Sequence, residues 1–122
     1  MMASSMINAI DKKLLDQLST MKEETRQELK RVLEFWSQEV LQAEQGSFIG
    51  RVDQSGERFP EADLSAVLVT RILWTFSAAF KHSPQKHYKD VADAAFGLVT
   101  QSFWDSEFGG LFWSVNPDGQ VS

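Results

Sequence analysis

The segment Leu64-Ser65-Ala66-Val67-Leu68-Val69-Thr70-Arg71-Ile72-Leu73-Trp74-Thr75-Phe76-Ser77-Ala78-Ala79-Phe80 is apolar almost all round. Pro60, Glu61 and Asp63 mark a helix start just ahead of it. His82-Ser83-Pro84-Gln85 ends it, because proline cannot continue a helix. A helix without a polar face belongs inside a larger assembly, so the fold class is mainly α. In the middle of this helix stands Arg71. A lone buried guanidinium is very costly, so Arg71 is expected either to pair with an acidic residue of a neighbouring helix or to face a polar cavity.

Working outward, Leu29, Val32, Leu33, Trp36, Val40 and Leu41 recur at helical spacing between Lys22 and Glu44, with Glu23 and Glu24 where a helix dipole favours acids. Ahead of them, Ile7, Ile10, Leu14, Leu18 and Met21 form one apolar stripe. Residues 1–20 therefore read as an N-terminal extension, a short extra helix or a frayed one. Beyond the Pro84 linker, Tyr88, Val91, Ala92, Ala95, Val99 and Phe103 restore a one-sided stripe up to Trp104. This makes about four helices.

Between and after them lie two glycine-aromatic segments. Gly46-Ser47-Phe48-Ile49-Gly50-Arg51-Val52-Asp53-Gln54-Ser55-Gly56 aligns without a gap on Gly109-Gly110-Leu111-Phe112-Trp113-Ser114-Val115-Asn116-Pro117-Asp118-Gly119, an offset of 63 residues. Each ends in a turn signal and is expected to form a short β-hairpin-like loop. Phe35-Trp36 and Phe103-Trp104 stand before the two copies as a matching pair. The unit is helix, hairpin, helix. Repeats of this kind bury their apolar faces on their neighbours, so exposed apolar faces and self-association are expected of two units alone.

Composition narrows the function. A net charge of −5 and no Lys/Arg-rich run argue against nucleic acid and an anionic membrane surface, which are bound by basic side chains. With no cysteine there is no disulfide, no thiol nucleophile and no Cys-ligated metal. The first 20 residues hold Asp11, Lys12, Lys13 and Asp16 where a signal peptide needs an apolar stretch, so a cytoplasmic protein is expected. His82 and His87, five apart around a proline, lack the further ligands of a metal site. Trp74, Trp104, Trp113, Phe48 and Phe112 are of a kind that stacks on sugar rings or fills a core. Trp113 is the best candidate for stacking because it lies on a loop.

Four stretches carry a family resemblance: Leu33-Glu34-Phe35-Trp36, Gly46-Ser47-Phe48-Ile49-Gly50, Thr70-Arg71-Ile72-Leu73-Trp74-Thr75-Phe76-Ser77, and Tyr88 through Gly109-Gly110-Leu111-Phe112-Trp113. From about Met21 to Ser122 the chain resembles the N-terminal part of the N-acylglucosamine 2-epimerase superfamily, and most of all its cellobiose 2-epimerase branch. The resemblance implies an incomplete (α/α)6 toroid, with residues 21–122 as the N-terminal portion of the barrel domain. It implies a disaccharide substrate such as cellobiose, whose reducing-end glucose is epimerised to mannose at C2 through an enediolate, with no cofactor and no metal. Arg71 matches the family's active-site arginine, whose charge would stabilise the enediolate oxygen, and is expected to bind substrate. Most of the family's substrate-stacking tryptophans lie beyond the matched region, and Trp113 stands beside Arg71 as a substrate-binding candidate only for its place on a loop. The family's catalytic histidines lie beyond the matched region, and neither His82 nor His87 fits their motifs; no catalytic residue is assigned, and the chain is expected to be truncated and inactive alone. Ser47 and Leu64 depart from the family's usual glycine and lysine. The alternatives are a non-catalytic helical binding module and a mannose-type aldose–ketose isomerase of the same superfamily.

Overall fold

A computed structural model describes residues 2–122. Two compact units divide at Glu34 and Phe35. The first is a helix, α1 (Met2–Phe35), which continues one residue past that boundary. The two segments expected as separate helices run as one, because no glycine or proline precedes Gly46 and the spacing of Leu14, Leu18, Met21 and Leu29 never breaks. Among the described residues there are thus three α-helices rather than four. Ile7, Ile10, Leu14, Leu18 and Met21 are each more than half exposed. Ion pairs Glu23–Arg26, Glu28–Arg31 and Lys30–Glu34 line the same helix in solvent, where such pairs add only a few tenths of a kcal/mol each, about 0.2–0.5.

In the second unit, α2 (Ala66–His82) and α3 (Lys86–Leu98) are joined by three residues, which makes them antiparallel neighbours. Val69, Ile72 and Phe76 of α2 are buried, as are Tyr88, Val91 and Ala95 of α3. The Phe76 and Tyr88 rings meet edge to face at 5.9 Å. Val40, Phe48, Leu64, Phe103 and Val115 complete the core.

The 63-residue repeat is a repeat of backbone geometry. A wide, five-residue-spaced turn over Trp36–Val40 has its counterpart in Val99–Phe103, and each passes into an extended residue, Leu41 and Trp104, with φ −68° in both. Strands β1 (Leu41–Gln42) and β2 (Ser47–Phe48) pair Leu41 with Phe48, and at the equivalent place Trp104 bridges Leu111. The Ile49 amide donates to the Val40 carbonyl and the Phe112 amide to the Phe103 carbonyl, both at 2.8 Å. Gly46 and Gly109 take left-handed φ values of 62° and 79°. This register corrects the expected match of the aromatic pairs: Phe35-Trp36 stands opposite Leu98-Val99, and Phe103-Trp104 opposite Val40-Leu41. The buried pair that truly corresponds is Val40 and Phe103, 1% and 0% exposed.

The second half of each loop repeats too. Val52 bridges Arg58 and Val115 bridges Val121. Inside these bridges, Asp53 Oδ1 accepts from the amides of Ser55 and Glu57, and Asn116 Oδ1 accepts from those of Asp118 and Gln120. A short polar side chain that satisfies its own turn is what Asp and Asn offer there.

Candidate functional site

Ser65 opens α2 as its N-cap, with extended backbone and its Oγ accepting from the Leu68 amide at 3.1 Å. Just before the helix, β3 (Leu64–Ser65) pairs with β4 (Ser114–Val115), Leu64 against Val115 and Ser65 against Ser114. The Ala66 amide, one of the donors left unpaired at a helix start, goes to the Trp113 carbonyl at 2.9 Å. Trp113, far off in sequence, is thereby held at the N-terminal end of the helix that carries Arg71. Five residues separate Ala66 from Arg71, about 7–8 Å along the axis.

The helix is not enclosed on all sides. Val67, Arg71, Trp74, Thr75 and Ala78 are exposed, and their spacing places them on one face, opposite Val69, Ile72 and Phe76. The expectation of a buried helix with a buried arginine is corrected here. Arg71 is exposed and makes no ion pair among the described residues. Among the described residues neither an internal salt bridge nor an enclosing cavity holds it.

The aromatic candidates separate cleanly. Phe48 is core at 3% exposure, and Phe112 is half-buried. Trp74 and Trp113 are 74% and 76% exposed, and Trp104 is 52% exposed. A large indole left in water with no packing role is uncommon on a folded surface, which makes Trp74 and Trp113 candidates for contact with something outside the chain. Sequence reading singled out Trp113 and left Trp74 among many; its place on the Arg71 face, three residues on, is the signal that ranks it. His82 closes α2 and His87 lies in the first turn of α3, its ring tilted at 58° to that of Tyr88 with 4.3 Å between centroids, and both histidines are exposed. No group of three or more His, Cys, Asp or Glu able to hold a metal occurs among the described residues. No described helix is long and apolar enough to cross a membrane.

Asp53 is the one carboxylate of these loops with a perturbed acidity. Its carboxyl is held below the ordinary range chiefly by the Ser55 hydroxyl, then by the Glu57 amide. That stabilises a turn rather than a reaction.

No family model matches the chain. A protein of Bacteroides fragilis is 41% identical over 101 residues, which are 82% of this chain and 26% of that one, and it is a cellobiose 2-epimerase. The relatives are cellobiose 2-epimerases. That of Eubacterium cellulosolvens is 31% identical over 95 residues, 78% of this chain and 23% of its own. Among solved structures, a sugar epimerase from a ruminal bacterium superposes with a TM-score of 0.78 at 30% identity, over 84% of this chain and 26% of that one. The cellobiose 2-epimerase of Bacillus thermoamylovorans does so with a TM-score of 0.79 at 30% identity, over 85% and 27%. The chain thus spans about a quarter of the length of the cellobiose 2-epimerases it matches. Its helices and hairpins have the arrangement of part of an (α/α)6 barrel.

Proposed function

We propose that this chain forms part of a carbohydrate 2-epimerase of the cellobiose type, and that the exposed face of α2, with Trp113 at its N-terminal end, meets the sugar. The observation that carries this is Arg71, an unpaired cation beside the exposed Trp74, in a chain similar to cellobiose 2-epimerases. In C2 epimerisation a proton leaves C2, negative charge gathers on the enediolate oxygens, and the proton returns to the other face. A fixed guanidinium stabilises that charge as it develops, and removing such a group costs about 10²–10³ in kcat. Trp113 offers a flat apolar surface to a pyranose ring. The proton-transfer groups are assigned to no residue here, so the 122 residues alone are expected to be inactive. A chain of this charge, without cysteine, fits the cytoplasm.

The test is a chimera in which residues 21–122 replace the matching quarter of the Bacteroides fragilis enzyme, assayed on cellobiose with the product identified by NMR. The chimera should form the C2 epimer; a ketose product would instead favour the aldose–ketose isomerase. Arg71→Ala should lower kcat with little change in melting temperature, and Trp113→Ala should mainly raise KM. Full activity in a folded Arg71→Ala chimera would refute the assignment, and turnover by the 122 residues alone would refute the need for further chain. A second reading, a non-catalytic module, is favoured by the exposed stripe of α1. It requires a discrete oligomer in sedimentation and saturable saccharide binding without turnover.

A further inference from the structure

A cavity of about 310 Å³ lies between the tips of the two repeated loops and α3, with Leu64 and Val115 as its apolar floor. Neither Arg71 nor Trp113 lines it, so it is distinct from the face proposed above to meet the substrate. Its polar lining is Gln45, Ser47, Gln101, Ser102, Asn116 and Asp118, with no lysine, arginine or histidine. Three observations mark it as built to hold something.

Ser47 is 7% exposed, the one buried polar residue among those described, and its hydroxyl makes no hydrogen bond within the protein; since no side-chain polar atom there is both buried and unpartnered, that hydroxyl is open to the cavity. A hydroxyl open to a cavity and uncommitted within the protein can both donate to and accept from what enters it. Gln45, Gln101 and Ser102 likewise spend no side-chain donor or acceptor on the protein. The third is Gly97. It sits inside α3, where glycine weakens a helix, and no atom lies within 4 Å of where its Cβ would be. No neighbour requires glycine there. What the missing side chain leaves open is the cavity.

We propose that this cavity binds a neutral, hydroxyl-rich molecule of monosaccharide size. Amides and hydroxyls both donate and accept, as sugar hydroxyls do, and the Asp118 carboxylate accepts from a hydroxyl donor. The absence of any cation in the lining disfavours phosphates and carboxylates. The volume is at the low end of small-molecule sites, roughly 300–1,000 Å³, and fits one pyranose rather than a disaccharide.

The test is titration of the isotope-labelled 122-residue chain with glucose, with glucose 6-phosphate as the anionic control, followed by amide NMR. Glucose should shift Gly97, Ser102 and Gly119 saturably, and the phosphate should bind more weakly. Gly97→Leu should fill the cavity and abolish those shifts while leaving the rest of the spectrum intact and the melting temperature no lower than the parent's. Ser47→Ala should weaken binding about tenfold, the equivalent of one hydrogen bond. Shifts confined to Arg71 and Trp74, no saturable shift at all, glucose binding undisturbed by Gly97→Leu, or phosphate binding as tight as glucose would each overturn the proposal.

Discussion

Adding the same single carbon at three glycines should have three different effects, because the structure gives each a different surrounding. At Gly50 a Cβ would come within 2.4 Å of the Asp63 carbonyl oxygen and 2.8 Å of that of Ala62. Both are backbone atoms, so no side chain can swing aside; the loop over Ala62 and Asp63 has to move by about an ångström, and forced overpacking of this kind costs about 1–3 kcal/mol. At Gly46 there is free space, but φ is 62°, a region that costs an L-residue about 1–2 kcal/mol. At Gly97 there is free space and helical backbone, so alanine should gain about 0.5–1 kcal/mol. With about 4 °C per kcal/mol for a domain of this size, Gly97→Ala should melt above the parent by a few degrees and Gly46→Ala about 4–8 °C below it, while Gly50→Ala, at the upper end of its range because the 2.4 Å contact is with backbone, should melt about 10–12 °C below it. Thermal unfolding followed by circular dichroism on the four proteins reads the order directly. A Gly50→Ala melting at or above Gly46→Ala would refute the close approach on which the estimate rests.

The two turn residues should part company in acid. Asp53 is held below its usual range in the folded chain, so its support for the 52–58 turn is present above the unfolded-state pKa and is lost as pH falls through the folded-state pKa; Asn116 does not titrate. Lowering the pH should therefore shift the Ser55 and Glu57 amides before those of Asp118 and Gln120; simultaneous shifts would count against it. Phe103→Ala, at 0% exposure, should cost about 3–5 kcal/mol in denaturant unfolding, while Trp113→Ala should stay within about 0.5 kcal/mol, since its side chain is in solvent. Comparable losses would place Trp113 in the core after all.

The helices were legible because their spacing is a local signal, and so was the offset of the two loops, because glycine and turn residues mark fixed backbone geometry. What could not be read was set by contacts between distant residues. Leu41–Gln42 follows an apolar stripe of helical period and reads as its continuation, but it pairs with Ser47–Phe48 and leaves the helix through a wide turn. Leu64–Ser65 reads as helix and is a strand because Ser114–Val115 lies beside it, which is also why Leu64 is 1% exposed. Arg71 was singled out for the wrong physical reason: composition made its helix look enclosed, whereas the exposed side is defined by which residues α3 happens to cover. The resemblance to a family pointed to the same residue by a route that burial does not affect.

The repeat separates the positions that serve a shared backbone geometry from those that do not. Wherever the two copies do the same structural task they keep matching solutions: Val40 and Phe103 in the core, Gly46 and Gly109 in the left-handed turn, Asp53 and Asn116 accepting the same pair of amides. One equivalent pair departs completely. Gly50 is pressed against the backbone of Ala62 and Asp63, where not even a methyl group fits, while Trp113 carries the bulkiest side chain of all into open solvent, its carbonyl engaged by α2. Packing explains the glycine and gives no reason for the tryptophan. An exposed indole costs solvation without repaying it among the described residues, and the proposed contact with a sugar on the face of α2 that bears Arg71 and Trp74 would supply the reason for Trp113.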